Sequence, residues 1–225
     1  MRFARFLTYT VSEEFTRVST QKQARQVPKI RGRAQEQKVE HQDDLHHASR
    51  RRAEMAKKEP VDERNLDGSG APTIPWERAR ERFEEDAGIS PTHWLATVRT
   101  DGRPHVMPVW TVWVDGAFYF VAGTTTRTSK NLAQNAHCVI TVASSGLDLV
   151  IEGEATKVSD ETRLQRIADA YAVQGWHPTV RHSVFYADDG APGTGPPPYD
   201  VYEVVPVTIF GLGTDEPYGA TRWRF

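Results

Sequence analysis

The sequence has little of what secreted, membrane-spanning or nucleic-acid-coating proteins depend on. It contains one cysteine, Cys138, among 225 residues, so no disulfide can form within the chain, and the reducing cytoplasm is the expected location. No apolar run approaches the roughly 20 residues of a transmembrane helix, and no membrane partner is expected. With 28 basic and 30 acidic residues, the net charge of −2 gives no overall case for nucleic-acid binding.

Signature motifs of several large enzyme classes are also absent from the sequence. It has no Gly-x-Ser-x-Gly elbow, no phosphate-binding Walker loop and no dinucleotide-binding glycine fingerprint. Cys138 lies in a predicted core strand, which is not typical of a nucleophile. His105 has no cysteine or carboxylate partner at metal-ligand spacing, so no metal site is predicted. The sequence therefore assigns no catalytic residue.

The first 70 residues differ in composition from the remainder. They hold 15 of the 28 basic and 11 of the 30 acidic residues, and few large apolar residues follow Phe15. Such a composition buries too little apolar surface to offset the entropy lost on ordering. Residues 1–72 are therefore predicted to be a disordered, charged tail that ends in a linker at residues 67–72. Residues 73–225 are predicted to be the folded domain.

Two basic runs, at residues 29–33 and 50–52, stand out in this predicted tail. One interpretation is an arm that binds an anion or a nucleic acid. The other is a solvated tail, or a stretch translated from a wrongly chosen start. The composition favours the second interpretation, so no nucleic-acid partner is expected.

From Trp76 onwards the pattern is typical of a mainly β domain with a few helices. Helices are predicted over residues 76–85, about 127–135 and about 161–173. The pairs Asp101-Gly102 and Asp115-Gly116 are tight-turn signals between β-rich runs. Six strands are predicted, at residues 94–98, 106–114, 117–122, 138–142, 147–158 and 201–212. Because mainly short turns join them, they favour a closed antiparallel barrel, which has no exposed sheet edges.

A long loop is predicted over residues 175–199, which are rich in glycine and proline. Loops of this length often act as lids over a binding site. The aromatic and imidazole side chains of this loop offer surfaces that can stack on a flat substrate; they are Trp176, His177, Phe185 and Tyr186. The alternative is a solvent-exposed insertion with no role.

The start of the second predicted helix carries the strongest functional signal. Free backbone N–H groups and the helix dipole at such a start favour an anion. Thr126 is the predicted N-cap, Arg127 and Lys130 share a helix face, and Thr128 and Ser129 add hydroxyl donors. Together these groups predict a phosphate cradle. The alternative, equally compatible with the sequence, is an ordinary capped helix with a solvated basic face.

The strand that contains Pro108 is a second candidate. Proline removes a ladder hydrogen bond, which indicates a sheet edge or a bulge, and exposed backbone there can pair with the edge of a flat heterocycle. Trp110 and Trp113 are three residues apart and so face opposite sides of a regular strand. Packing in the core or at a dimer interface would account for at least one of them.

Several ordered motifs resemble the pyridoxamine 5′-phosphate oxidase-like proteins. Residues 94–109 (WLATVRTDGRPHVMPV), 127–132 and 149–153 carry this resemblance. The branch it looks closest to is that of the actinobacterial flavin/deazaflavin-dependent oxidoreductases, which the ending at residues 210–216 and 220–225 also resembles.

The resemblance extends over residues 76–225 and implies a six-stranded split β-barrel. It also implies a homodimer with FMN or coenzyme F420 bound at the dimer groove. The family often has Lys directly after the Arg of its phosphate cradle, where this chain has Thr128. The cradle, the ring-flanking strand and the C-terminal residues together give the predicted cofactor-binding set: His105, Val106, Pro108, Val109, Trp110, Thr111, Thr126, Arg127, Thr128, Ser129, Lys130, Asn131, Arg222 and Trp223.

The predicted function is an FMN- or F420-dependent oxidoreductase that transfers hydride or electrons to or from a small conjugated substrate. The cofactor carries the chemistry, while the protein orients it and excludes water. A pyridoxamine phosphate oxidase is disfavoured because the basic residues for a second, substrate phosphate are not found. The alternative is a non-catalytic split barrel that binds or carries flavin, haem or a tetrapyrrole.

Overall fold

The computed structural model describes residues 59–85, 92–191 and 194–225. Both basic runs and most of the predicted disordered tail lie outside these ranges. The described residues form three helices and eleven strands joined in one antiparallel sheet. No helix in these ranges is long and apolar enough to cross a membrane.

The helices and strands have the following bounds. The helices are α1 (Trp76–Glu85), α2 (Arg127–Leu132) and α3 (Glu161–Val173). The strands are β1 (Asp62–Asn65), β2 (His93–Val98), β3 (Pro104–Val109), β4 (Thr111–Val114), β5 (Ala117–Gly123), β6 (His137–Ser144), β7 (Leu147–Lys157), β8 (Thr179–Arg181), β9 (Val184–Tyr186), β10 (Tyr199–Gly213) and β11 (Gly219–Arg224).

The sheet closes on itself into a barrel. Its order runs β10–β7–β6–β2–β3, and β4, which continues the chain after β3, pairs with β5, which pairs in turn with β10. The predicted six-stranded split barrel is therefore confirmed, with β3 and β4 together in place of the single strand predicted over residues 106–114. Gly102 and Gly116 have φ values of 81° and 79°, as the two predicted tight turns require.

Strand β5 is buried along its whole length because it separates two apolar clusters. Phe118 and Phe120 point into the barrel, whose core is sealed by Trp76 and Phe83 of α1. The alternate residues of β5 face α3 and the second cluster. Burying each large side chain stabilises the fold by roughly 1.5–3 kcal/mol.

Strand β1 lies inside the span that the sequence predicted as a disordered tail. It pairs with β11 along its whole length. Arg222 donates to the Asp62 carboxylate at 2.6 Å, and Trp223 Nε1 donates to Glu63 at 3.2 Å. The predicted domain boundary therefore comes about ten residues too late. The sequence Asp-Glu-Arg-Asn gives no apolar signal, because this strand forms through backbone pairing and ion pairs.

The span predicted as a long loop contains a β-hairpin, β8–β9, and its Phe185 lies opposite Tyr199 of β10. Trp176 is buried and donates from Nε1 to the Gly190 carbonyl at 2.9 Å. The turn uses His182 and Ser183, with φ values of 52° and 60°, so no glycine marks it in the sequence. Within the described part of this span, Phe185 and Trp176 pack into the domain.

Candidate functional site

The barrel opens where β3 and β4 part, at Trp110. Beyond this point Thr111 of β4 pairs with Phe120, whereas β3 turns away from β5 and pairs with β2. The end of β5, with Val121 and Ala122, therefore borders a cleft on that side. Pro108, which has no backbone N–H to donate, lies just before the divergence, as expected for an irregular edge.

The cleft is a cavity of about 170 Å³. Its walls come from β3, β5, the start of α2, the end of α3 and the segment that leads into β10. The residues that line it are His105, Met107, Pro108, Val109, Trp110, Val121, Ala122, Thr126, Arg127, Thr128, Tyr171, Trp176, Ala191 and Thr194. The backbone of Gly123 donates to the Thr194 carbonyl at 3.1 Å, which fixes the last of these walls against β5.

The polar end of the cavity is the first turn of α2. Thr126 is the N-cap, as predicted, and its side chain accepts from the Ser129 backbone N–H at 3.3 Å. The Thr126 and Ser129 hydroxyls both donate to the Gly123 carbonyl at 2.8 Å, which ties the turn to the end of β5. The first-turn N–H groups of Arg127 and Thr128 have no partner within the helix.

Arg127 supplies positive charge at this end. Its side chain is exposed, and no carboxylate of the described residues forms an ion pair with it. His105 lines the cavity nearby. Burial, together with the positive charges of Arg99 and Arg127, lowers the pKa of His105 below its usual value of 6.5. This end of the cavity can therefore take an anion.

The other end of the cavity is aromatic and neutral. The Trp110 ring lies 5.8 Å from Tyr171 and 6.1 Å from Trp176, measured between ring centroids. The Trp110 indole N–H donates to Gln174 Oε1. The Tyr171 hydroxyl lies 3.0 Å from the Trp110 carbonyl and 3.2 Å from that of Tyr119, and burial raises its pKa. Hydrogen bonds thus hold this wall in place.

Half of the cofactor-binding residues predicted from the sequence line this one cavity. They are His105, Pro108, Val109, Trp110, Thr126, Arg127 and Thr128. Trp110 and Trp113 do face opposite sides, since Trp113 packs against Phe83 and Phe118 beside the barrel core.

Other predicted residues surround the cavity without lining it. Ser129 and Asn131 are buried and support the first turn of α2. Thr111 is buried in β4, and Val106 is exposed on the outer side of β3. Lys130 is exposed on α2 and is not among the lining residues. Arg127 and Lys130 lie on the same helix, but of the two only Arg127 lines the cavity.

The structure does not bring Arg222 and Trp223 to the cavity. Both lie on β11, and Trp223 is fully buried in the barrel core, 5.7 Å from the ring of Trp76. Its ring also occupies the space in which a Cβ on Gly211 would lie. Arg222 pairs with Asp62 of β1. In the single chain the two residues join β1 and β11 to the barrel, and their place near a dimer groove stays a prediction.

The sequence did not predict most of the aromatic wall, and it did not predict that β5 borders the cavity. Tyr171 follows the buried residues Leu164 and Ile167 at helical spacing, so it is read as ordinary core. Val121 and Ala122 sit in a wholly buried strand, where nothing in the sequence distinguishes a cleft from a core. Trp176 is an aromatic residue of the predicted loop, and this was the one signal in the sequence that pointed to the aromatic wall.

Several solved structures are similar to this chain, and three of them are described below. General Stress Protein 26 from Bacillus anthracis str. Sterne is 16% identical with a TM-score of 0.44, and the match covers 66% of this chain and 99% of that one. A pyridoxamine 5′-phosphate oxidase-related, FMN binding protein from Nostoc punctiforme PCC 73102 is 18% identical with a TM-score of 0.45, over 66% of this chain and 90% of that one. An F420 Reductase is 20% identical with a TM-score of 0.40, over 56% of this chain and 94% of that one.

No curated protein sequence matches the chain. One family model does match it, over residues 79–212, and that model describes pyridoxamine 5′-phosphate oxidase. The match runs from within α1 to within β10 and so includes all six barrel strands and the start of α2.

Proposed function

Because the chain belongs to the pyridoxamine 5′-phosphate oxidase family, we propose that its cavity binds FMN or coenzyme F420 and that the protein is an oxidoreductase. One observation carries the proposal. A single cleft in the barrel joins the exposed Arg127 and two threonine side chains to a neutral aromatic wall. Both cofactors have an anionic phosphate group and a flat, conjugated ring, so the two ends of the cleft match the two ends of such a molecule.

The residues at the polar end fit a phosphate group. Arg127 and His105 are the cationic or proton-accepting groups there, and the Thr128 hydroxyl can donate, whereas the Thr126 hydroxyl already donates to the Gly123 carbonyl. A phosphate beside Arg127 forms charge-assisted hydrogen bonds, which are stronger than neutral ones. The backbone of β3 around Pro108 offers a wall for the edge of the ring.

The bound cofactor would supply the hydride or electron chemistry, and the protein would bind it, orient it and exclude water. The partly exposed Trp110 ring, which Trp176 backs with centroids 6.1 Å apart, offers a stacking surface for a flat ring. We propose a small conjugated molecule as the substrate on this basis. A cytoplasmic location agrees with the single cysteine of the sequence.

We also propose that the protein is a homodimer. Large apolar side chains are exposed on the outer face of the barrel, including Trp94 (47% exposed), Val106 (52%) and Val207 (54%). Ala96, Val98, Pro104, Val139 and Val207 line one groove on that face. Contiguous exposed apolar surface of this kind marks an interaction site, and a two-fold partner covers the same face on both copies.

The experiment that tests the proposed function uses the full chain. FMN and F420 are titrated separately while absorbance and fluorescence are recorded, and the reduced cofactor is then reoxidised with and without candidate conjugated acceptors. The proposal expects saturable binding of one cofactor and faster reoxidation with an acceptor. Binding without any acceleration by acceptors would instead indicate a carrier, and no binding of either cofactor would refute the proposal.

A further inference from the structure

His105 is joined to the interior by a short chain of polar side chains. It lies on β3 directly opposite Thr97 of β2. Asn131, buried on α2, donates from its amide to Thr97 Oγ1 at 2.9 Å. Thr97 and Asn131 are each 2% exposed, so these two links are shielded from water, and the chain runs from the helix through the strand to the partly exposed imidazole in the cavity.

The Thr97 hydroxyl has two possible partners on His105 at nearly equal distance. Its Oγ1 atom lies 3.4 Å from the His105 carbonyl oxygen, which accepts, and 3.5 Å from Nδ1, whose role depends on the imidazole tautomer. Because Asn131 already donates to Oγ1, the proton of the Thr97 hydroxyl is directed towards His105. With a neutral imidazole that carries its proton on Nε2, the hydroxyl donates to Nδ1. With a charged imidazole, Nδ1–H donates to Oγ1 and the hydroxyl turns to the carbonyl.

This arrangement serves both protonation states of His105 without any movement of a heavy atom. The charged groups that act on the ring come from two elements: Arg99, which follows β2, and Arg127, at the start of α2. Both are cations, and together with burial they favour the neutral imidazole in the protein without ligand. An anion beside Arg127 acts in the opposite direction, since a nearby negative charge favours the protonated imidazole.

We infer that His105 takes up a proton when an anionic group binds beside Arg127 and so becomes the second cation of that site, with Thr97 and Asn131 as positioning residues that hold the ring in both states. The proton comes from the solvent, and no other bond is made or broken. The inference rests on the proposed function, because it requires an anion in the cavity. It adds that binding of the phosphate group is linked to proton uptake.

The test is an NMR titration of the histidine ring protons in the full-length protein. The His105 signal is assigned by its loss in His105→Gln, and its pKa is measured alone, with saturating FMN and with sulfate. Sulfate stays doubly charged between pH 5 and pH 8, and sodium chloride at matched ionic strength is the control. We expect the pKa to rise by about one unit with either anion, which corresponds to roughly tenfold tighter binding to the protonated form.

An unchanged His105 pKa in protein that is saturated with FMN would overturn this inference and leave the proposed function intact. Failure of FMN, F420 and sulfate to bind at all would overturn both. The pKa of His105 in the parent protein therefore decides whether the inference holds, and His105→Gln serves only to assign the signal.

The positioning role of Thr97 has its own readout. Thr97→Val removes the hydroxyl but keeps the shape, so the anion-induced rise in the His105 pKa should shrink, and Thr97→Ser should restore it. A merely structural role would lower the stability of Thr97→Val and leave the anion-induced rise unchanged, which would overturn the assignment of Thr97. If Thr97→Val does not fold, the same comparison is made with Thr97→Ala.

Discussion

At the scale of single residues, Arg127 decides whether the cavity is an anion site. Losing one charge-assisted hydrogen bond costs roughly 1.5–3 kcal/mol, or about ten- to a hundredfold in affinity. Arg127→Ala should therefore weaken binding of the phosphate-bearing cofactor on that scale. It should leave the melting temperature nearly unchanged, because exposed charges contribute little to folding. Equilibrium titration with FMN or F420 measures the effect.

Lys130→Ala is the matched control for Arg127→Ala. Lys130 is an exposed cation on the same helix, but it does not line the cavity. Its removal should change affinity much less, and the effect of Arg127→Ala should shrink when riboflavin, which lacks the phosphate, replaces FMN. Equal losses in the two variants would mean that Arg127 acts through general positive charge and makes no direct contact.

The lone cysteine offers a test of the barrel interior. Burial, and secondarily the charge of Glu154, raises the pKa of the Cys138 thiol to about 12. Because the thiol stays protonated below that pH, it is a poor nucleophile throughout the physiological range. We expect iodoacetamide to label Cys138 in the native protein far more slowly than in urea, as followed by mass spectrometry. Rapid labelling of the native protein at pH 8 would contradict the buried environment.

At the scale of elements, β1 is an edge strand whose polar sequence gives no signal for a strand. Truncation of residues 1–58 leaves β1 in place, whereas truncation of residues 1–72 removes it together with the partners of Arg222 and Trp223. We expect the longer truncation to be less stable by roughly 2–4 kcal/mol, a fall of about 5–15 °C in melting temperature relative to the shorter one. Differential scanning calorimetry compares the two proteins, and equal melting temperatures would show that β1 contributes nothing.

The elements that the sequence predicted well are those with local signals. Glycine turns at Gly102 and Gly116 and runs of β-branched residues mark the barrel strands, and the capped start of α2 is marked by Thr126. The hairpin β8–β9 escaped prediction because its strands have three residues each and its turn has no glycine. Such short strands depend on tertiary pairing with β10, which no local pattern reports.

The candidate site was predictable only in part for a related physical reason. Its polar end is contiguous in sequence, so spacing alone brings Thr126, Arg127 and Thr128 together. Its aromatic end depends on how far β3 parts from β5 and on where α3 packs. Pro108 signalled an irregular strand but not the direction in which it bends. Only the pairing of β11 with β10 reveals that the Trp223 ring enters the barrel core, and no local pattern in the sequence indicates it.

At the scale of the whole molecule, the exposed apolar face of the barrel predicts assembly. Trp94 and Val106 both lie on the outer side of the sheet, on neighbouring strands. Replacing Val106 by Lys should halve the mass measured by light scattering, while the circular dichroism spectrum stays unchanged. As a control, Val173→Lys alters a side chain that is 76% exposed on α3, away from that face, and should leave the mass as it is. A parent protein that is monomeric at micromolar concentration would contradict the proposed dimer.

The proposed function depends on one cavity in the split of the barrel, which would hold a phosphate-bearing, flat-ringed cofactor. The most direct test is a fluorescence titration of the full-length protein with FMN and with F420. We expect saturable binding of one of them with one molecule per chain, weakened at least tenfold by Arg127→Ala and much less by Lys130→Ala. Absence of saturable binding by either cofactor, or binding that Arg127→Ala leaves untouched, would contradict it.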